Sequence, residues 1–121
     1  MPYDLPQLTY ERLDVYKLAI SYLTLMAPVL ESLPRGNALP ADQLKRASLS
    51  IPLNVAEAAG KVTTADRSRY YATARGSAME CGAIMDVCRA LGMLDEERVM
   101  RGKGMLVRIV AMLTRMCRGP A

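Results

Sequence analysis

The sequence of 121 residues contains no histidine, no tryptophan and no phenylalanine. Without histidine, the glutamate-and-histidine motif of di-iron helical bundles cannot be built, so we expect no metal and no other cofactor. Cysteine is also scarce, and an odd count of three argues against a disulfide framework. Cys81 and Cys88 would lie about 10 Å apart along one helix, too far for a bridge. We predict that Cys81, Cys88 and Cys117 are small core residues of a cytoplasmic protein.

Long apolar runs are absent as well. The longest uncharged stretch, residues 18–30, has thirteen residues and is interrupted by Ser21, Thr24 and Pro28. A membrane-spanning helix needs about 20 apolar residues, so we expect no membrane segment. Residues 1–7 are neither basic nor followed by a clean apolar run, and therefore do not resemble a secretory leader.

The residues that are abundant are those of helices. The hydrophobic fraction is 51 %, supplied mainly by Leu, Ala, Val, Ile and Met, which suit helices better than strands. Caps and turn residues divide the chain into four predicted helices: about Thr9–Glu31, Pro40 or Ala41 to Ala59, Thr63 (as N-cap) to Ala90 or Leu91, and Asp95 to about Cys117. This pattern predicts an all-α fold, a single antiparallel up-down four-helix bundle spanning residues 1–121.

The first predicted helix has more apolar surface than one bundle core requires. Two apolar rows flank a thin polar strip, and a helix on the surface of a monomer normally buries only one face. The second row therefore predicts contact with another subunit. One row is Leu13, Tyr16, Ile20, Leu23, Ala27 and Leu30, and the other is Val15, Leu18, Tyr22, Leu25 and Val29.

The most informative motif is Ser-Ile-Pro-x-Asn-x-Ala-Glu at residues 50–57, followed by Gly-Ser-x-x-Glu at residues 76–80. Pro52 has no N–H to donate to the carbonyl of Ser48, and its ring clashes there. We predict a kink in the second helix. The alternative is a new helical segment that begins at a Ser50 cap.

Together with residues 13–19 and 43–49, this motif resembles the S23-type four-helix-bundle proteins, which are often encoded by intervening sequences within bacterial large-subunit ribosomal RNA genes. The resemblance implies an antiparallel bundle that assembles as a homo-oligomeric ring, typically a homopentamer, with no established enzymatic activity. The accessory protein of diversity-generating retroelements is similar, and in that branch a basic pentameric barrel binds nucleic acid and partners a reverse transcriptase. One departure is Ala58, where the family commonly has glycine, which implies slightly looser packing.

Polar residues on the second and third helices predict a structural network. On each helix a neutral polar residue and a glutamate lie three residues apart, which places them near one another. An arginine that reaches one carboxylate would complete a buried network that fixes the register of the bundle. The competing hypothesis is an enzyme that uses two glutamates for acid/base or metal chemistry; we favour the structural one and predict no catalytic residue. The predicted network consists of Arg46, Asn54, Glu57, Arg75, Ser77 and Glu80.

Two basic sets are candidates for binding phosphate. The first is a stripe along the fourth helix: Arg98, Arg101, Arg108, Arg115 and Arg118. The second surrounds the turn into the third helix: Lys61, Arg67 and Arg69. Aligned guanidinium groups can track a nucleic-acid backbone. The alternative is an ordinary solvated face.

A net charge of +4 permits an anionic partner without demanding one. The leading hypothesis is a non-catalytic homo-oligomeric ring with basic surfaces for RNA or DNA. Because its only aromatic residues are tyrosines, predicted to pack, binding would be electrostatic and salt-sensitive. The alternative is a scaffold that recruits a protein client without binding nucleic acid.

Overall fold

A computed structural model of the chain describes residues 7–32 and 38–119. A short 3-10 helix, Thr9–Arg12, precedes four α-helices: α1 (Asp14–Ser32), α2 (Ala38–Ala59), α3 (Thr64–Ala90) and α4 (Glu96–Arg118). No strand occurs within the described ranges. The predicted all-α fold with four helices is confirmed.

The helix ends follow the local capping rules that predicted them. The Thr63 hydroxyl accepts a hydrogen bond from the backbone N–H of Asp66 at 3.1 Å, which caps α3. The Asp95 carboxylate accepts one from the N–H of Arg98 at 2.8 Å, which caps α4. Gly92, just beyond α3, has a φ of +72°, a conformation that glycine adopts at little cost.

The predicted beginning of the first helix, at about Thr9, is wrong. Residues 9–12 form a 3-10 helix, and Leu13 is extended, with φ −74° and ψ 128°, so α1 begins only at Asp14. The rings of Tyr10 and Tyr16 pack edge to face with centroids 4.8 Å apart, across this break. The break folds the 3-10 helix back against α1, and Tyr10 lines a small cavity with Ala56 of α2.

Two prolines lie inside helices that do not break. Pro28 is within α1 and Pro52 is within α2. Because α2 is continuous, the alternative in which Ser50 begins a new segment is wrong. The kink remains a prediction. Pro52 itself is buried, and its missing N–H leaves the carbonyl of Ser48 without its usual helical donor.

The four helices pack as neighbours around a square. Cα atoms approach within 8 Å between α1 and α2, α2 and α3, α3 and α4, and α1 and α4, with no such approach along either diagonal of the described helices. Thus the α1/α2 side of the bundle lies opposite the α3/α4 side. The α1/α4 side likewise lies opposite the α2/α3 side.

The core is apolar and is supplied by every helix. On α3, Cys81 and Cys88 are buried, which confirms them as core residues. Cys117 is half-buried and packs against the same core. Leu91, directly after α3, is 62 % exposed.

The two apolar rows of α1 have different environments. The row of Val15, Tyr22 and Val29 is buried in the core of the protomer. The other row is only partly covered: Ile20 is 39 % exposed, and Ala27 is exposed as well. The protomer therefore buries one row and leaves the second at the surface.

Three helices meet at a close contact around Gly102. A Cβ atom placed on this buried glycine would lie 2.6 Å from the methyl carbon of Met85 and 3.4 Å from that of Met26. Met85 also accepts a hydrogen bond from the Tyr22 hydroxyl, with 3.3 Å between oxygen and sulfur. Gly102 thus permits a close approach of α4 to α3 and α1, whereas Gly104 has nothing within 4 Å of the corresponding position.

None of the helices in the described ranges is both long enough and apolar enough to span a membrane.

Candidate nucleic-acid interface

The arginines of α4 form one straight row on its surface. Arg101, Arg108 and Arg115 are all exposed and are spaced seven residues apart. Seven residues make about two helical turns, so the guanidinium groups recur about every 10.5 Å on nearly the same face. The buried side of α4, with Ile109 and Leu113, faces the core. We call these three residues the arginine row; Arg118, three residues after Arg115, is also exposed but is rotated from the row by about 60°, towards α3.

Ion pairing separates the members of the predicted stripe. Arg98 pairs with Asp95 at 2.8 Å, so its charge is largely balanced at the beginning of α4. Among the described residues, no hydrogen bond or ion pair involves the side chains of Arg101, Arg108, Arg115 or Arg118. Among residues 7–32 and 38–119 the arginine row therefore has no acidic partner, and Arg98, which has one, does not belong to it.

One end of the row borders an open groove between α1 and α4. This groove has a volume of about 500 Å³. The Ser21 and Thr24 hydroxyls both donate to carbonyls of their own helix, at 3.1 Å. They therefore have lone pairs rather than protons to offer a ligand. An anion here would be held by guanidinium groups alone. The groove is lined by Ser21, Thr24, Leu25, Pro28, Arg98, Arg101 and Met105.

The other end of the row borders a second cavity between the same helices, of about 380 Å³. Arg115 lines it, but so does Asp14. The remaining lining is mainly apolar, with Leu13, Met112 and Met116. A cavity that presents both an arginine and an aspartate is less suited to an anion than the exposed row beside it.

The second basic set is engaged in local contacts. Arg67 donates to the carbonyls of Lys61 and Val62, at 3.1 and 2.8 Å, and so holds the turn between α2 and α3. Lys61 pairs with Glu57 at 3.3 Å. Arg69 pairs with Asp66 at 3.4 Å. Lys61 and Arg69 also lie over the ring of Tyr70, at 5.0 and 5.7 Å from its centroid. These cations already have partners within the protein and stabilise the turn, so they are less available to a ligand than the arginine row.

The end of α4 lies against the beginning of α3. Gly119, directly after Arg118, is close to Thr64 and Ser68. A Cβ atom on Gly119 would be 3.0 Å from the Thr64 methyl group, and φ there is +70°. Arg67 belongs to the same first turn of α3 and donates to the Thr64 hydroxyl at 3.1 Å.

The predicted six-residue polar network does not form as a unit. Its two neutral members are joined through Ser50: the Ser50 and Ser77 hydroxyl oxygens are 2.7 Å apart, and the Asn54 amide donates to the Ser50 hydroxyl at 2.9 Å. Glu57 is exposed and pairs only with Lys61. Glu80 and Arg46 are exposed, with no hydrogen bond or ion pair to another described residue. The carboxylates are therefore not part of a buried cluster.

Arg75 contacts α4 rather than a carboxylate of α2. Its Nε donates to the Thr114 hydroxyl at 2.8 Å, and that hydroxyl donates in turn to the Val110 carbonyl at 2.7 Å. Arg75 is half-buried. This hydrogen bond joins α3 to α4, and no ion pair connects Arg75 with a described carboxylate of α2.

The buried polar groups are elsewhere, at the contact of α1, α2 and α3. The Ser48 hydroxyl lies 3.6 Å from the Cys81 thiol, and both side chains are fully buried. Burial raises the pKa of the Cys81 thiol, which leaves it protonated at neutral pH. Burial, with a smaller contribution from Cys81, also raises the pKa of the Tyr22 hydroxyl far above its ordinary value. These groups are arranged to pack. Within the described residues no three of the potential ligands His, Cys, Asp and Glu lie together as a metal site would require.

Sequence reasoning missed a second groove, between α3 and α4, of about 470 Å³. Its lining is small or apolar, and Met79 and Val107 are 56 and 68 % exposed. Lys103 and Asp86 pair across it at 2.7 Å. The hydrogen bond from Lys103 lowers the pKa of Asp86 below its ordinary value. The lining residues are Ala78, Met79, Gly82, Ala83, Asp86, Lys103, Leu106, Val107 and Val110.

Comparison with known proteins adds one match. The family model described as "23S rRNA-intervening sequence protein" matches residues 11–115. The match includes all four helices almost entirely, with the arginine row up to Arg115 and the motif at residues 50–57. No curated protein matches the chain.

Proposed function

The chain belongs to the 23S rRNA-intervening sequence protein family, and on this premise we propose that it is a non-catalytic, self-associating bundle that binds RNA or DNA through the arginine row. The family description associates its members with ribosomal RNA genes, which fits a partner that carries phosphates. We place the protein in the cytoplasm, in keeping with its free cysteines.

We infer an antiparallel up-down arrangement of the helices from the order of their contacts. Along α3, Arg75 contacts Thr114 near the end of α4, whereas Asp86, further along α3, contacts Lys103 near the beginning of α4. We also infer a homo-oligomer, with the homopentamer implied by the family resemblance as the expected size. The exposed apolar row of α1 supports self-association, because a single protomer leaves it uncovered.

The observation that supports nucleic-acid binding most strongly is that no described carboxylate pairs with the arginine row. Structural arginines in this chain have partners: Arg75 bonds to Thr114, Arg67 to carbonyls and Arg98 to Asp95. The arginine row has no such partner within the part of the chain that the structure describes, although each guanidinium has five N–H donors. From Arg101 to Arg115 the row extends for about 21 Å, and guanidinium groups along such a length can contact several phosphates of one nucleic acid.

The same surface contains little that would read a base sequence. Tyr16, Tyr22, Tyr70 and Tyr71 are buried or half-buried in packing positions. No aromatic side chain lines the α1/α4 groove next to Arg101. Phosphate contacts alone position a nucleic acid without specifying its sequence. We therefore expect binding that depends on charge and salt and is tolerant of sequence.

A salt series with a matched pair of variants tests this proposal. Fluorescence anisotropy of a labelled RNA duplex and of a labelled single strand is measured between 50 and 200 mM salt, a range over which phosphate-based binding should weaken steeply. Replacing Arg108 and Arg115 by Gln removes two phosphate contacts per copy. The slope of log K against log salt should fall by about 1.4 for the single strand and about 1.8 for a duplex, for each copy engaged.

The control is the double substitution of Lys45 and Arg46 by Gln. It removes the same charge from exposed positions on α2, a helix that does not contact α4. This variant should keep the salt slope of the natural protein. Equal losses for the two variants would mean that net charge alone controls binding, and absence of binding at low salt would contradict the proposal.

The α3/α4 groove favours one alternative, a scaffold that recruits a protein client and does not bind nucleic acid. Its apolar lining is suited to a protein surface and not to phosphate. If anisotropy shows no nucleic-acid binding while the groove proves necessary for association with another protein, this alternative replaces the first.

A further inference from the structure

The α1/α4 groove next to Arg101 has two walls of different chemistry. The α4 wall supplies guanidinium groups, which donate hydrogen bonds and cannot accept them. The α1 wall supplies the hydroxyl groups of Ser21 and Thr24, both of which are exposed. Leu25 and Met105, which are half-buried, line the groove as well. A nucleic-acid strand that contacts the arginine row at Arg101 therefore has the α1 hydroxyl groups as neighbours.

The hydroxyl protons of Ser21 and Thr24 are already used within α1. Each hydroxyl oxygen lies 3.1 Å from the carbonyl oxygen four residues earlier, that of Lys17 or Ile20. Because a carbonyl oxygen only accepts, the hydroxyl is the donor in both bonds. A hydroxyl has one proton and two lone pairs, so each group can still accept a hydrogen bond from a ligand but has no proton left to donate. The groove thus has donors on α4 and acceptors on α1.

The two kinds of nucleic acid differ in what they can offer to these acceptors. Within a DNA strand the sugar–phosphate backbone has no hydrogen-bond donor, whereas every nucleotide of RNA has a 2′-hydroxyl group. A DNA strand held by Arg101 would leave the acceptors of Ser21 and Thr24 to water. An RNA strand in the same place can donate 2′-hydroxyl protons to them without breaking the hydrogen bonds inside α1.

We propose that Ser21 and Thr24 make the protein prefer RNA to DNA, by accepting hydrogen bonds from the 2′-hydroxyl groups of a strand whose phosphates contact Arg101. This inference rests on the proposed function and names the class of nucleic acid that the same surface selects. The selection is independent of base sequence, because every ribonucleotide carries the 2′-hydroxyl. It therefore agrees with a groove whose described lining includes no aromatic side chain on which a base could stack.

The charge of the α1 wall is compatible with a strand in this position. Lys17, one helical turn before Ser21, is exposed and lies on nearly the same face of α1. Its ammonium group places a positive charge beside the two acceptors, so phosphates near the α1 wall also meet a cation. Ser21 and Thr24 are themselves separated by only about 4.5 Å along the helix axis. The two acceptors therefore act on one short stretch of the strand.

Strands that differ only at the 2′ position test the inference. Fluorescence anisotropy at low salt is measured with one sequence prepared as RNA, as DNA containing deoxyuridine in place of thymidine, and as 2′-fluoro RNA. The 2′-fluorine keeps the sugar conformation of RNA but cannot donate a hydrogen bond. The natural protein should bind RNA about 2- to 10-fold more tightly than either other strand, which is the contribution of about one hydrogen bond. This comparison needs no variant and so does not depend on how a variant folds.

Ser21→Ala combined with Thr24→Val removes both acceptors without changing the charge of the groove. This double variant should bind RNA and DNA equally, with its affinity for DNA unchanged. Thr73→Val is the matched control, because Thr73 is exposed and its hydroxyl donates to the Arg69 carbonyl at 3.1 Å. It lies on α3, which does not contact α1 among the described helices. The control should keep the preference for RNA, and circular dichroism should show unchanged helix content in both variants.

Three results would overturn the inference: equal binding of RNA and DNA by the natural protein, binding of 2′-fluoro RNA as tight as that of RNA, or a preference for RNA that persists in the double variant. In each of these cases salt-dependent binding of both nucleic acids would still support the proposed function. Absence of binding to every strand at low salt would instead contradict the proposed function, and this inference with it.

Discussion

The α1/α4 groove next to Arg101 and the α3/α4 groove both border helix α4 and have similar volumes, but their linings differ in chemistry. The α1/α4 groove and the exposed surface beside it contain unpaired arginines, with Met105 and Met112 between them. The α3/α4 groove contains small and branched apolar residues and one satisfied ion pair. A single helix thus has three faces: a core face, a charged face and an apolar surface face. The difference teaches that two exposed surfaces of one helix can have opposite chemistry, one positively charged and one apolar.

The largest expected effect is a loss of stability when an apolar residue is truncated on the core face of α4, compared with the same change on its apolar surface face. Ile109 is fully buried, whereas Val107, two residues away, is 68 % exposed. Replacing Ile109 by Ala should reduce the free energy of unfolding by about 2–5 kcal/mol, because a cavity remains in the core. Val107→Ala should leave the stability of the protomer nearly unchanged. Urea denaturation at low protein concentration measures both, and similar losses would mean that the two faces are not distinct.

A smaller effect is expected at the beginning of α4, where Asp95 both caps the helix and neutralises Arg98. Asp95→Ala should reduce stability by about 1 kcal/mol, because the cap is lost. Asp95→Asn should keep the cap, since asparagine is also a good N-cap residue. Thermal denaturation separates the two variants.

Both Asp95 variants should bind nucleic acid more tightly than the natural protein, because Arg98 is released to extend the arginine row. Anisotropy at low salt measures this gain. If Asp95→Asn is as unstable as Asp95→Ala, the carboxylate stabilises α4 through charge and not through the cap. If neither variant gains affinity, the charged face ends at Arg101.

The smallest effect concerns the ion pair of the apolar groove. The pKa of Asp86 is lowered in the folded state by Lys103. The contribution of this pair to stability is therefore present above the ordinary pKa of 3.8 and is lost as the pH falls through the lower folded pKa. Asp86→Asn should melt slightly below the natural protein at pH 7, and the gap should close in acid. Lys103→Gln should abolish the same pH dependence; a gap that persists in acid would contradict the assignment.

The sequence predicts the parts of this fold that depend on neighbours in the chain. The cap at Thr63 is a local signal and lies where it was predicted, and Asp95, predicted as the first residue of the fourth helix, is the residue that caps it. The 3-10 helix at residues 9–12 was not predicted, because the break at Leu13 accompanies the packing of Tyr10 on Tyr16, which no helical pattern encodes. Local sequence signals predict most helix ends in this chain, and a tertiary contact shifts the beginning of α1.

The polar network predicted between the second and third helices forms only in part, because of the angles at which its residues leave the helix axis. Three residues along a helix are separated by about 60° around its axis. Asn54 and Ser77 face the contact between α2 and α3, but Glu57 and Glu80, each three residues later, are turned out to solvent. The predicted network failed for this reason. The α3/α4 groove could not be predicted from either helix alone, since it depends on how both are rotated in the bundle.

The glycine at the junction of three helices has a consequence for engineering. Gly102 fixes how closely α4 can approach Met85 on α3, and its neighbour Lys103 spans the surface groove between the same two helices. An alanine there would have to displace the end of Met85 or push the helices apart. A hidden residue thus acts as a spacer for an outer surface. A substitution at the buried Gly102 should therefore change the width of the α3/α4 groove without altering any residue that lines it.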